Sequence, residues 1–127
     1  MRFAKTGAVL YIFWGLVHIK AGLDGFALGA GLESGLVQGK IQQGAWDVLI
    51  FALAAIAIAV TLNWKNDPIG YWANLLVVSG ADLGFIIFVL LPGHIAFFPG
   101  IIGPALWIGA AIFSSLGHWQ RNGANDL

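Results

Sequence analysis

Two ionisable residues lie inside long apolar runs of this sequence: His18 in "YIFWGLVHIK" and Asp82 in "SGADLG". An imidazole and a carboxylate can share a hydrogen bond, move a proton or ligate a metal. A charged residue at the centre of a bilayer costs about 2.5–3.5 kcal/mol on insertion scales, so it is expected to have a partner. We therefore predict that His18 and Asp82 meet, if their helices bring them to the same depth.

The composition indicates a membrane protein. The 127 residues are 59% hydrophobic and 9% charged, whereas soluble domains are roughly 25% charged. A net charge of zero removes the basic surface that nucleic-acid binding needs, and the absence of cysteine excludes thiolate catalysis and disulfides. We expect a single all-α domain, residues 1–127, that is multi-pass in the cell inner membrane and binds no nucleic acid.

Four apolar runs are each long enough to cross a bilayer, which takes about 20 residues as a helix. We place these helices at about 6–26, 46–64, 69–91 and 99–119. Between the second and the third, in "KNDPIG", Asp67 is placed to cap a helix and Pro68 to occupy its first position. The predicted fold is an integral membrane four-helix bundle.

The orientation in the membrane follows from the basic residues, which are retained on the cytoplasmic side. Only Lys20 and Lys40 lie away from the side that carries the chain termini. The other basic residues are Arg2, Lys5, Lys65 and Arg121. We therefore predict that both termini are cytoplasmic. The first run, followed by "ALGA", also has the outline of a signal peptide, but the polar residues near its end favour a retained first helix.

The segment between the first two helices, residues 27–44, reads "ALGAGLESGLVQGKIQQG". Its glycines disfavour a regular helix, and its apolar residues are too many for a free linker. We predict a Gly-rich interfacial, partly re-entrant segment over the outer mouth of the bundle; a solvated loop is the alternative. Small residues elsewhere predict helix-packing seams. These are Gly25 with Gly29, Gly80 with Gly84, and Ala52, Ala55 and Ala59.

A depth calculation places His18 and Asp82 together. His18 lies twelve residues past Thr6 and Asp82 eleven past Tyr71, which gives about 18 Å and 16 Å from the inner surface at the rise of an α-helix. Trp14, one turn before His18, is expected to form a floor beneath it. These residues, with polar side chains on the outer side, predict a polar pocket that opens outward. Its predicted members are His18, Asp82, Trp14, Ser79, Lys20, Asp24, Asp47 and Trp107.

Within this pocket, Ser79 is placed one turn before Asp82 and could donate a hydrogen bond to it. The other histidines, His94 and His118, fall at different depths from His18, and no ligand-like spacing occurs. We therefore expect no metal and no cofactor. A purely structural pair that fixes helix register remains the alternative interpretation of His18 and Asp82.

Three motifs carry a resemblance to a known group: "GLVH" in the first helix, a Trp-led second helix from "AWD", and the "PG" to "PALW" run that enters the fourth. In these features the chain resembles small bacterial four-helix integral membrane proteins of unknown function, DoxX-like in outline. The resemblance implies the fold and no activity, and it assigns no site residue.

Three functions fit the sequence. The first, which we favour, is a non-catalytic bundle that binds a small hydrophobic or amphipathic ligand, or a larger membrane partner, through the outward pocket. The second is a small proton-coupled transporter that works as an oligomer, and the third is a membrane enzyme with a His-Asp dyad. A continuous polar path would favour transport, a closed outer cavity would favour binding or catalysis, and solid packing would favour a scaffold. The expected partners are the lipid bilayer and a second copy or a larger membrane complex.

Overall fold

The computed structural model describes residues 1–125 as a bundle of helices without strands in that range. The α-helices are α1 (Arg2–Ala30), α2 (Leu36–Thr61), α3 (Pro68–Phe85), a short α4 (Phe97–Gly100) and α5 (Ile102–Asn125). A single 3-10 turn, Asn63–Lys65, follows α2, and a π-helical segment, Ile86–Leu90, continues α3. The all-α prediction is confirmed. The predicted single domain runs to residue 127, so its last two residues lie outside the described range.

Three helical segments are long and apolar enough to cross a membrane: Arg2–Ala30, Leu36–Lys65 and Pro68–Leu90. They correspond to the first three predicted spans and support a membrane protein. The fourth predicted span, 99–119, begins in α4 and lies mostly in α5, whose second half is more polar. Its crossing of the membrane stays a prediction. The predicted orientation of the termini likewise stays a prediction.

The prediction that residues 27–44 form an irregular segment is wrong. α1 continues to Ala30 and α2 begins at Leu36, so only a short turn separates the two helices. The two helices pack closely at Gly25 and Gly29, where an added Cβ would lie 2.9 Å from Ala45 Cβ and 2.7 Å from Gln42 Cγ. Packing against a neighbouring helix outweighs the intrinsic cost of a helical glycine, about 1 kcal/mol.

The start of α3 agrees with the sequence prediction. The Asp67 side chain accepts hydrogen bonds from the backbone N–H groups of Ile69 and Gly70, at 2.8 Å and 3.4 Å. Pro68 occupies the first helical position, where no N–H donor is needed. This cap sets where α3 begins and therefore the height at which Asp82 lies along it.

α1 is the central helix and packs against both α2 and α5. Its buried face includes Tyr11 and Trp14, both with no exposed surface. The core around them consists of small or apolar side chains from four helices. Its fully buried members are Ala8, Tyr11, Trp14, Ala55, Ala59, Val78 and Ala110. The predicted alanine seam of α2 is confirmed, since Ala52, Ala55 and Ala59 are all fully buried.

The predicted seam of Gly80 and Gly84 on α3 has no partner inside the described chain. A Cβ added at either glycine would meet no atom within 4 Å. The seam therefore does not hold the bundle together, unlike Gly25 at the α1–α2 contact. The prediction fails here because the spacing of small residues identifies a helix face that allows close packing, but it does not show which helix packs against that face.

Candidate functional site

A buried carboxylate connects α1 with α3 at the centre of the candidate site. Asp82 exposes no surface, and its Oδ2 accepts a hydrogen bond of 2.9 Å from Trp14 Nε1. Its other oxygen, Oδ1, lies 3.4 Å from His18 Nε2. The expected meeting of His18 and Asp82 is therefore present, but the hydrogen bond to the carboxylate comes from Trp14.

Trp14 also fixes the position of the His18 ring. The two rings stack, with 3.9 Å between centroids and 22° between planes. His18 Nδ1 lies 2.8 Å from the Trp14 carbonyl oxygen. Because a carbonyl can only accept, Nδ1 carries a proton and donates it. Nε2 is therefore the nitrogen that faces Asp82.

The two facing atoms of the pair are complementary only when a proton lies between them. With Nδ1 protonated, a neutral His18 presents a lone pair at Nε2. An ionised Asp82 presents lone pairs at Oδ1, so the two atoms would repel at 3.4 Å without a proton between them. Such a proton can lie on Nε2, which gives an ion pair, or on Oδ1, which gives two neutral groups. Both forms have zero net charge, which suits a site among apolar helices.

α5 closes the site from a third side through Gly103. A Cβ built on Gly103 would lie 2.8 Å from His18 Cε1, 3.4 Å from Nε2 and 3.9 Å from Asp82 Oδ1. Since the ring of His18 is held by stacking and by its hydrogen bond, it cannot move away cheaply. A side chain at position 103 would therefore push against the pair, and glycine lets α5 approach it.

A cavity of about 450 Å³ lies beside His18. Most of its walls are apolar and come from α1, α2, α3, the chain before α5 and the start of α5. The lining residues with a bearing on the site are Val17, His18, Ala21, Phe85, Pro99 and Gly103. Phe85 directly precedes the π-helical segment Ile86–Leu90, and such segments occur frequently at functional sites. The cavity therefore connects His18 with the outside of the bundle, whereas the fully buried Asp82 does not line it.

The predicted pocket residues divide between this cavity and its surroundings. Lys20 and Asp24 line it and form an exposed ion pair of 2.6 Å. Ser79 does not bond to Asp82, because its Oγ accepts from Trp107 Nε1 at 2.9 Å. That bond joins α3 to α5 away from the cavity lining. Asp47 is exposed and does not line the cavity.

Sequence reasoning missed a second polar cluster towards the opposite end of the bundle. The Tyr71 and His118 rings stack at 4.2 Å between centroids, and the Tyr71 hydroxyl lies 3.0 Å from Ser115 Oγ. Nearby, Asn66 Nδ2 donates to the Gly117 carbonyl oxygen at 2.8 Å. The spacing of Ser115 and His118 on one helical face could have suggested this cluster. Its partner Tyr71 could not be identified without the tertiary packing.

Comparisons with known proteins do not assign this chain to a family: no family model, no curated protein and no solved structure matches it. The likeness to DoxX-like proteins therefore stays a resemblance. Any statement of function depends on the geometry of the site.

Proposed function

We propose that the protein binds a small hydrophobic or amphipathic ligand in the cavity beside His18, without transforming it. The observation that carries this proposal is the cavity itself, about 450 Å³ with mainly apolar walls and His18 among its lining residues. Ligand sites in proteins have volumes of roughly 300–1,000 Å³, apolar linings and a small number of placed polar groups. The cavity has this size and this pattern.

The proposal places four crossing helices in the cell inner membrane, with both termini cytoplasmic and the cavity open to the outside. α5 has 24 residues, about 36 Å at the rise of an α-helix, which is enough to cross. Basic residues cluster near one end of the bundle: Lys5 Nζ lies 5.3 Å from the Trp64 ring centroid, and Arg121 donates to the Asn66 carbonyl oxygen. The charge bias supports this end as the cytoplasmic one.

Binding is better supported than proton-coupled transport. A relay from His18 and Asp82 towards the other end would need polar groups along the way. Between Asp82 and the next buried polar side chain on α3, Asn74, lies the fully buried Val78. In the described range the other buried polar side chains, which include Asn74 and Ser114, make no hydrogen bond to Asp82 or His18. A closed base beneath an open cavity favours a bound ligand over passage.

The matched variants Ala21→Phe and Ala57→Phe test this function. Ala21 lines the cavity and is exposed enough to accept a larger side chain, whereas Ala57 is exposed and does not line it. The probe is hexylbenzene, added to the purified full chain in lipid nanodiscs, with empty nanodiscs as the blank for partitioning. We expect it to raise the thermal unfolding midpoint of the wild type and of Ala57→Phe but not of Ala21→Phe. Equal shifts in all three, or none, would contradict a ligand-binding cavity.

A further inference from the structure

The exposed edge of the cavity carries an ion pair. Lys20 and Asp24, one turn apart on α1, both line the cavity, and Lys20 Nζ lies 2.6 Å from Asp24 Oδ2. Their side chains are 77% and 65% exposed, so a molecule at the mouth of the cavity can reach both. The third ionisable residue of this lining is His18, whose ring nitrogens face the Trp14 carbonyl and the Asp82 carboxylate. A charged group of a ligand is therefore expected to meet Lys20 and Asp24.

The height of this ion pair along α1 matches the edge of a bilayer. Counted from Thr6, where the first predicted span begins, Lys20 and Asp24 lie about 21 Å and 27 Å along the helix. The hydrocarbon core of a bilayer is about 30 Å thick, and a lysine side chain extends towards the nearer interface. Val17, which also lines the cavity, lies deeper, at about 16 Å by the same rise. The charged edge is therefore at the level of lipid head groups, and the apolar wall is at the depth of their chains.

A head group that carries both charges suits this ion pair. Lysine has three N–H donors and a carboxylate accepts at two oxygens, so the two side chains can bind a ligand in addition to each other. A purely anionic group bound to Lys20 would also lie close to the Asp24 carboxylate, and a purely cationic group bound to Asp24 would lie close to the Lys20 ammonium. Such contacts between like charges reduce affinity. A zwitterion presents its anion to Lys20 and its cation to Asp24, and it leaves the net charge of the ion pair at zero.

We infer that the ligand is an amphiphile with a zwitterionic head group, whose anionic group binds Lys20 and whose ammonium group binds Asp24. Its hydrocarbon chain lies in the cavity, along the wall formed by Val17, Ala21 and Phe85. This inference rests on the ligand-binding function proposed above and names the chemical class of the ligand. No covalent bond is made or broken in this binding.

Three probes with the same myristoyl chain separate the head group from the chain. Lysophosphatidylethanolamine carries a phosphate and an ammonium group, lysophosphatidylglycerol carries the phosphate alone, and monomyristoylglycerol carries neither. The probes compete in equal amounts for the purified full chain in maltoside micelles, and native mass spectrometry measures the ratio of the bound forms. We expect about three- to five-fold more ethanolamine lipid than glycerol lipid to be bound, the effect of an exposed charge contact. An ethanolamine lipid bound no better than either other probe would overturn the zwitterion inference and leave the ligand-binding function standing, whereas no binding of any probe would overturn both.

Two variants locate the preference at the ion pair. Asp24→Asn should reduce the ratio of bound ethanolamine lipid to glycerol lipid to about two-fold or less, because the ammonium loses its carboxylate and the lone phosphate is no longer repelled. Lys20→Gln should lower the binding of both phosphate probes relative to monomyristoylglycerol. Their controls are Glu33→Gln and Lys40→Gln, which remove charges of the same sign from exposed residues outside the cavity lining. An unchanged ratio in Asp24→Asn, or an equal reduction in Glu33→Gln, would overturn the proposal.

The variant Ala21→Phe tests whether the chain lies in the cavity. Its larger side chain occupies the space beside the ion pair, so the bound fraction of the ethanolamine lipid should fall, whereas the control Ala57→Phe should bind as the wild type does. Undiminished binding in Ala21→Phe would place the lipid outside the cavity and overturn the proposal. Because each head-group ratio is measured within one sample, a general loss of stability in a variant does not alter it.

Discussion

Removal of the Asp82 side chain should lower the stability of the protein more than removal of His18, because both Trp14 and His18 interact with its carboxylate. In Asp82→Leu, Trp14 Nε1 loses its acceptor and His18 Nε2 loses its partner. Breaking a buried pair typically costs about 3–5 kcal/mol. In His18→Leu, Trp14 still donates to Asp82 and only Oδ1 is left alone, which costs about 1–3 kcal/mol. We expect Asp82→Leu to be the more damaging of the two changes.

The double variant carries the test of this reasoning. With both residues replaced by leucine, only Trp14 Nε1 remains unsatisfied, so the loss should be about 1–3 kcal/mol. The double variant should therefore be more stable than Asp82→Leu alone, and the two single losses together should exceed the double loss by a coupling energy of about 3–5 kcal/mol. The free energy of unfolding is measured by reversible SDS titration in mixed micelles, followed by circular dichroism. Strictly additive losses would refute the coupling of His18 with Asp82.

An exposed ion pair on the same helix provides the control. Lys20 and Asp24 lie 2.6 Å apart with side chains 77% and 65% exposed. Pairs of this kind on a helix surface are coupled by about 0.3–0.5 kcal/mol. A cycle of Lys20→Ala and Asp24→Ala should therefore show much weaker coupling than the buried cycle. Equal coupling in the two cycles would mean that burial of the His18 pair adds nothing.

The remaining predictions concern the hydrogen bonds of the Asp82 side chain, the membrane topology and the helix packing. Asp82→Asn should lower the free energy of unfolding by no more than about 1 kcal/mol, because its carboxamide oxygen can accept from Trp14 and its N–H can donate to His18 Nε2. A loss in SDS titration as large as that of Asp82→Leu would contradict the assigned His18 tautomer. Cysteines introduced at the exposed positions Gly123 and Ala96, which keep every basic residue, and labelled with an impermeant reagent on intact cells should react only at position 96; labelling only at 123 would reverse the orientation. Gly103→Ala should destabilise the chain by about 1–3 kcal/mol in the same titration. A Cβ added at Gly80 would meet no atom within 4 Å, so Gly80→Ala should be neutral or stabilise the chain by up to about 1 kcal/mol. The opposite order would mean that α3 packs against a neighbour in the membrane.

The features that depend on helix geometry were predictable from the sequence. The rise per residue of an α-helix is fixed, so counting from Thr6 and from Tyr71 brought His18 and Asp82 to similar heights. The Asp67 cap was predictable for the same kind of reason, because few residue types accept from free N–H groups and proline suits the position that follows. These inferences need only local geometry and the cost of unpaired charge.

The features that depend on which faces meet were not predictable. Spacing placed Trp14 beneath His18 but could not show that its indole N–H would reach Asp82, since that requires the rotation of α1 relative to α3. The same limit applies to Gly25, which allows α2 to pack against α1, and to Gly80, which meets no atom of the described chain. Both glycines have the spacing of a packing seam, and only tertiary structure separates them.

The way the pair is held argues that it was positioned before any ligand arrives. Trp14 Nε1 orients the Asp82 carboxylate through Oδ2, so Oδ1 is directed towards His18. The Trp14 carbonyl and ring hold the imidazole, so Nε2 is directed towards Asp82. A pair needed only to fix helix register would be best satisfied at a shorter distance and sealed from the outside. Here the His18 ring forms part of the cavity wall and is held in place by Trp14 and Asp82, and such preorganisation lowers the cost of binding.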